Sequence, residues 1–152
     1  TLKKPRYVAV GEDNVCAIDD NGLQCWGRND NGVINVPTIL NNPRAVALGT
    51  SHACAIDDVG VTCWGKNNLG QMDAPQNLKN PRSIEAGYNH TCAIDDNGLI
   101  CWGNNESGQL WPFEVLKNPR ALDAEEDQTC AIDDDGLKCW GRNSRNNRFI
   151  NY

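Results

Sequence analysis

The 152-residue chain contains no apolar run approaching the ~20 residues that a helix needs to span a bilayer. It shows neither an initiator Met nor a signal-peptide pattern. Thr1 instead opens in register with the internal repeat, which predicts processing or truncation upstream, and leaves the N-terminal side as the more open boundary. No basic stripe is present: the formal charge of −6 is spread along the chain, so nucleic acid is not an expected partner. No Ser stands in a nucleophilic arrangement and no Gly-rich phosphate loop precedes a helix, so no catalytic residue and no cofactor are predicted, and the chain is not expected to be an enzyme. No segment carries a helical period.

What is present is one 38-residue unit written four times without insertion or deletion, as residues 1–38, 39–76, 77–114 and 115–152. Cys16-Ala17-Ile18-Asp19-Asp20 recurs at Cys54, Cys92 and Cys130, and Cys25-Trp26-Gly27 recurs at Cys63, Cys101 and Cys139. A fixed period in this range marks propellers, solenoids and arrays. We read residues 1–152 as a single propeller-type domain.

Within each unit a Pro-Arg pair (Pro5-Arg6, Pro43-Arg44, Pro81-Arg82, Pro119-Arg120) precedes a short apolar alternation such as Val8 and Val10. The proline ring fixes the entry of this first strand. Gly11, Gly49 and Gly87 then mark a turn. The centre is a hairpin about Asp19-Asp20-Asn21-Gly22 and its copies, whose composition suits a type I turn closed by a left-handed Gly. Folding about this turn sets Ile18 opposite Leu23 and Cys16 opposite Cys25, with Cβ atoms near the ~3.8 Å that a disulfide prefers. The predicted bridges are Cys16–Cys25, Cys54–Cys63, Cys92–Cys101 and Cys130–Cys139. Zinc usually wants a gap of about two to four residues between paired cysteines, and here eight intervene.

Trp26, Trp64, Trp102 and Trp140 follow the second cysteine and are expected to wedge one unit against the next. Asn29, Asn67, Asn105 and Asn143 open the exit turn toward a last, poorly patterned strand. Each unit thus offers three or four short strands with apolar residues on both faces, and stacking such sheets about an axis gives an all-β propeller.

The pattern Gly-x-x-His-x-Cys-Ala-Ile-x-x-x-Gly-x-x-Cys-Trp-Gly-x-Asn-x-x-Gly-Gln, clearest from Gly49 to Gln71 and from Gly87 to Gln109, resembles the regulator of chromosome condensation repeat in its compact bacterial, disulfide-bearing form. The style is that of the propeller-shaped β-lactamase inhibitory proteins. The resemblance implies a propeller, commonly of seven blades, that binds proteins through the loops of one face. Two features depart from that family. Four units are fewer than the usual ring, and the gap-free repeat has no room for the β-wedge used by chromatin-bound members. Three architectures follow: part of a larger propeller, a closed four-blade unit, or half of a dimeric ring. In the fourth unit Glu125 replaces the Gly and Asn146-Asn147 replace Gly-Gln, so Arg148-Phe149-Ile150-Asn151-Tyr152 reads as a C-terminal edge.

The paired aspartates are read as turn supports, the first accepting backbone N–H groups and the second solvated. One hairpin tip cannot supply the about six to eight oxygens of a calcium site, so no metal is expected. His52 and His90 sit where the other units hold Asn14 and Gln128, which marks a buried or rim hydrogen-bonding position. The positions that break the repetition are left for a partner: Glu12-Asp13, Tyr88-Asn89-His90 and Glu126-Asp127 before the cysteines, with Trp111 and Phe113 in the third exit segment. In the inhibitory relatives the matching loop carries aromatics that dock on the target. Here Tyr88 is its one ring among acids and polar groups, so a polar or basic surface is the expected partner.

The expected function is an extracellular protein-recognition or adhesion module, with a glycan as the other ligand class, and no membrane insertion. Eight cysteines set it in an oxidising compartment: secreted, periplasmic or at the cell surface. The alternative is a structural or assembly protein, a homo-oligomer whose units pair with other copies through residues such as Trp111, Phe149 and Tyr152.

Overall fold

The computed structural model describes residues 1–143 and 148–151, with side chains described through Arg142. Asn146, Asn147 and Tyr152, which figure in the sequence reading, lie outside these residues or their described side chains, as does the Phe149 side chain.

The described residues are all-β, thirteen strands in four antiparallel sheets, one per unit. The first sheet holds β1 (Tyr7–Val10), β2 (Asn14–Asp19) and β3 (Gly22–Gly27); the second holds β4 (Ala45–Leu48), β5 (His52–Ile56) and β6 (Val61–Gly65). The third holds β7 (Ser83–Ala86), β8 (His90–Asp95) and β9 (Gly98–Gly103). The fourth holds β10 (Ala121–Glu125), β11 (Asp127–Asp133), β12 (Gly136–Asn143) and β13 (Arg148–Asn151). The expected last strand appears only in this fourth unit. In the first three the exit segment is instead a turn stapled by its Asn, as when Asn67 Oδ1 accepts the Met72 N–H at 2.9 Å and Asn105 Oδ1 accepts that of Leu110 at 3.0 Å.

The hairpin register is the predicted one. Cys16 pairs with Cys25, Cys54 with Cys63, Cys92 with Cys101 and Cys130 with Cys139, with Cα atoms 4.0–4.1 Å apart. All four disulfides form and no cysteine is free.

Each hairpin tip is fastened to its own unit's entry. Asp57 Oδ2 accepts the Asn41 N–H at 2.9 Å while its Oδ1 accepts the N–H groups of Val59 and Gly60. Asp19, Asp95 and Asp133 repeat the arrangement, and all four are buried. The carboxyl groups of Asp19 and Asp133 are held below their ordinary range by the Lys3 and Lys117 N–H groups. The second aspartates, expected to be merely solvated, are half-exposed and ion-paired: Arg82 reaches Asp96 at 3.6 Å and Arg120 reaches Asp134 at 3.2 Å. The residue before each proline adopts a left-handed φ of 48–51°. In units two to four it is Asn, whose carboxamide donates to that second aspartate (Asn80 Nδ2 to Asp96, 2.6 Å); in the first it is Lys4.

Apolar layers form between successive sheets, the smallest where Leu122 of the fourth packs against Cys92, Cys101 and Leu110 of the third unit. Cys16, Ile18 and Val33 meet Val46, Leu48, Ala53 and Trp64 between the first and second. Ala47, Cys54 and Ile56 meet Ile84, Ala86 and Trp102 between the second and third. Three of the periodic tryptophans are buried wedges whose indole N–H donates back to the preceding unit's exit segment: Trp64 to the Val33 carbonyl at 2.7 Å, Trp102 to Gln71 at 3.0 Å and Trp140 to Gln109 at 2.9 Å. Trp26 departs from this role: it is exposed, with no sheet packed over it among the described residues.

Candidate functional site

The first strand of every unit lies innermost, and β1, β4, β7 and β10 together wall an axial channel of about 340 Å³. The turn after each of these strands forms the channel mouth, a basin of about 370 Å³ lined by Glu12, Thr50, Tyr88, Glu125 and Glu126 with apolar and glycine neighbours. The channel wall adds Glu85 and Asp123. Five carboxylates therefore line the channel and its mouth, and the described lining contains no Lys, Arg or His. Charge of one sign in a low-dielectric cleft focuses the field on an incoming cation. Burial and the neighbouring Asp123 raise the Glu85 carboxyl to about 7, so this group is half-protonated near neutrality.

The mouth is rigidified between units by backbone bonds. Thr50 N–H donates to the Tyr88 carbonyl at 3.4 Å, and Tyr88 N–H donates to the Glu126 carbonyl at 2.8 Å. The Tyr88 hydroxyl then reaches Glu126 Oε1 at 3.2 Å. Partial burial and the Glu126 carboxylate raise the Tyr88 hydroxyl above its ordinary pKa, which keeps it a donor. Glu126 holds φ at 50°, a left-handed conformation that costs a non-glycine residue roughly 1–2 kcal/mol. Such strain tends to sit where function needs it.

Beneath the mouth lies a buried relay. His52 Nε2 meets Thr91 Oγ1 at 2.8 Å and His90 Nε2 meets Thr129 Oγ1 at 2.9 Å, each pair bridging two units. The threonine hydroxyls donate onward to the Gln71 and Gln109 carbonyls at 3.2 and 2.9 Å, so each accepts from its histidine. The rings fit because Gly49 and Gly87 carry no Cβ: one would stand 2.2 and 2.3 Å from an imidazole carbon. Burial drives both histidines down to about 4, with His90 adding to the effect on His52 and a backbone hydrogen bond at Gln128 opposing it for His90. They are neutral at physiological pH.

The residues singled out from the sequence thus separate. Glu12, Tyr88 and Glu126 come together at the mouth. Asp13 turns aside into a cleft with Arg28 and Asp30, where Arg28 pairs with it at 3.4 Å. Asn89 and Asp127 accept from the Gln71 and Gln109 carboxamides at 3.5 and 3.2 Å, and so brace the exit turns. His90 is fully buried and presents no surface to a partner. Trp111 and Phe113 are exposed in the segment between β9 and β10, outside the mouth lining. Sequence reading missed Glu85, Asp123 and Glu125. The signal was available: inner-strand positions 9, 47, 85 and 123 read Ala, Ala, Glu, Asp, so acid accumulates in the last two units.

Residues 6–33 and 82–109 match the family model of the regulator of chromosome condensation (RCC1) repeat. A search of the curated proteins finds no match. Among solved structures, the entire ectodomain of the Physcomitrella patens receptor kinase CR4 is 26% identical over 90% of this chain and 41% of that one, with a TM-score of 0.73. The CRINKLY WD40 ectodomain of the Arabidopsis thaliana receptor kinase ACR4 is also 26% identical, over 93% of this chain and 52% of that one, with a TM-score of 0.69. The structure of Kap60 bound to yeast RCC1 (Prp20) matches at 18% identity over 93% and 45%, with a TM-score of 0.78, a likeness of fold. The chain spans about half the length of these solved chains, or less.

Proposed function

We propose that this RCC1-repeat propeller is a secreted or surface-displayed recognition module that takes a basic protein segment at its acidic channel mouth. The carrying observation is the one-sign lining: five carboxylates without a described cation among them. Tyr88 supplies the apolar and hydrogen-bonding anchor that such a basin needs, since tyrosine is enriched at binding hot spots. The four disulfides fit an oxidising compartment. The likeness to two receptor-kinase ectodomains supports an extracellular setting. No catalytic step and no cofactor enter this reading.

The test is fluorescence anisotropy with a labelled peptide of alternating Lys and Gly, titrated at several salt concentrations. Saturable binding that weakens steadily as salt rises is expected. Binding indifferent to salt, or equal binding of an alternating Glu and Gly peptide, would overturn the reading.

A further inference from the structure

The asparagine that staples each exit turn uses both ends of its carboxamide in the first two units. Asn29 Nδ2 donates to Asn35 Oδ1 at 3.0 Å, while Asn29 Oδ1 accepts the Ile34 N–H at 3.3 Å. Asn67 repeats this with Asp73 at 2.7 Å and Met72 at 2.9 Å. In the third unit Asn105 Oδ1 still accepts the Leu110 N–H at 3.0 Å, but Trp111 takes the place of the acceptor side chain. Asn105 Nδ2 therefore has no acceptor among the described residues, and Asn105 is exposed.

A second difference falls on the same residue. Asn105-Glu106-Ser107 has the form Asn-x-Ser, which the matching Asn29-Asp30-Asn31, Asn67-Asn68-Leu69 and Asn143-Ser144-Arg145 lack. Asn-x-Ser/Thr with a non-proline centre is the acceptor sequence for N-linked glycans in secreted chains. The four disulfides fit the same compartment. We infer that Asn105 is a glycan attachment site, its Nδ2 left free by Trp111.

Transfer joins Nδ2 to the anomeric carbon of a sugar carried on a pyrophosphate donor. The N–C bond forms, the C–O bond to phosphate breaks, the pyrophosphate leaves with the electron pair, and Nδ2 gives up one proton. The product is still an amide, so Oδ1 keeps the Leu110 N–H and the turn stays stapled. Ser107 is buried and its hydroxyl donates to Asp127 at 3.4 Å, so transfer belongs to the nascent chain, before this turn closes. Trp111, 65% exposed, then offers an open ring face to the C–H edges of the first sugar.

The chain carries one other such sequence, Asn89-His90-Thr91, and there the surroundings oppose a glycan. His90 and Thr91 are fully buried, and the half-buried Asn89 turns its carboxamide to Gln71, itself fully buried. A sugar on Asn89 would crowd the second unit's exit turn. The Asn105 site depends on the extracellular setting proposed above and not on the acidic mouth.

The test is the intact mass of the full chain, directed through a eukaryotic secretory pathway and recovered from the medium. It is measured before and after peptide N-glycosidase, which converts a glycosylated Asn to Asp. One enzyme-removable glycan is expected, mapped to Asn105 by peptide analysis. It should be lost in Asn105→Gln and in Ser107→Ala, and kept in Ser107→Thr and Asn89→Gln. Ser107→Ala leaves the Asn105 staple untouched, so loss of the glycan there reports the acceptor sequence rather than a broken turn. An unmodified chain in the medium, a glycan on Asn89 in place of Asn105, or a glycan that survives Ser107→Ala would each overturn the inference. None of these outcomes bears on binding of the basic peptide, so a failure here and a failure at the mouth are read separately.

Discussion

Tyr88 and Glu126 hold each other twice across the boundary between the third and fourth units, through the backbone at 2.8 Å and through hydroxyl and carboxylate at 3.2 Å. The pair fixes a carboxylate at the channel mouth on a residue whose backbone is left-handed. Glu126→Gly should therefore relieve strain and raise stability by up to about 1 kcal/mol, since glycine adopts that φ freely. The same change removes a mouth carboxylate and should weaken binding of the basic peptide. Chemical denaturation and anisotropy moving in opposite senses is the expected signature; loss of stability would show that the strain assignment is wrong.

Lys4 occupies the left-handed site that Asn42, Asn80 and Asn118 fill in the other units. Asn tolerates this conformation better, and its carboxamide would reach Asp20 as Asn80 reaches Asp96. Lys4→Asn should stabilise the chain by roughly 0.5–1 kcal/mol in a thermal melt.

The buried histidines set an acid limit. Both have folded values of about 4 against 6.5 in the unfolded chain, so the neutral form is the stabilising one. Their contribution is complete above pH 6.5 and is lost as pH falls from there through 4. Each is worth on the order of 3 kcal/mol across that window. His52→Gln with His90→Gln should flatten the stability profile between pH 6.5 and 4, and an unchanged slope would contradict the assignment.

Glu85 acts with the opposite sign. Its folded value of about 7 lies above the ordinary 4.5, so its contribution is complete below pH 4.5 and is lost as pH rises through 7. Glu85→Gln should leave stability unchanged near pH 4 and increase it at pH 8. A loss of stability at pH 8 would contradict the burial argument.

Local geometry was legible in the sequence, and relations between units were not. The Cys16–Cys25 bridge and the Ile18–Leu23 register follow from one turn and a period of two, so a single unit contains all the information. The His52–Thr91 bond joins residues 39 apart, and no property of either marks the other. Trp26 is identical in type and position to Trp64, yet one is exposed and the other buried, because burial depends on the neighbour rather than on the repeat. His90 shares with Tyr88 a place just before a cysteine, yet its ring lies inward against Thr129. Glu85 and Asp123 meet only because the first strands of all four units line one channel, a relation that no single unit contains.

The central claim is that the acidic mouth, rather than the exposed aromatic segment, carries recognition. One comparison tests it: anisotropy of the same basic peptide against Glu12→Gln/Glu125→Gln/Glu126→Gln and against Trp111→Ala/Phe113→Ala. The first variant should bind at least roughly 10-fold more weakly and the second like the parent chain. Full binding by the mouth variant, with loss in the aromatic one, would contradict the account.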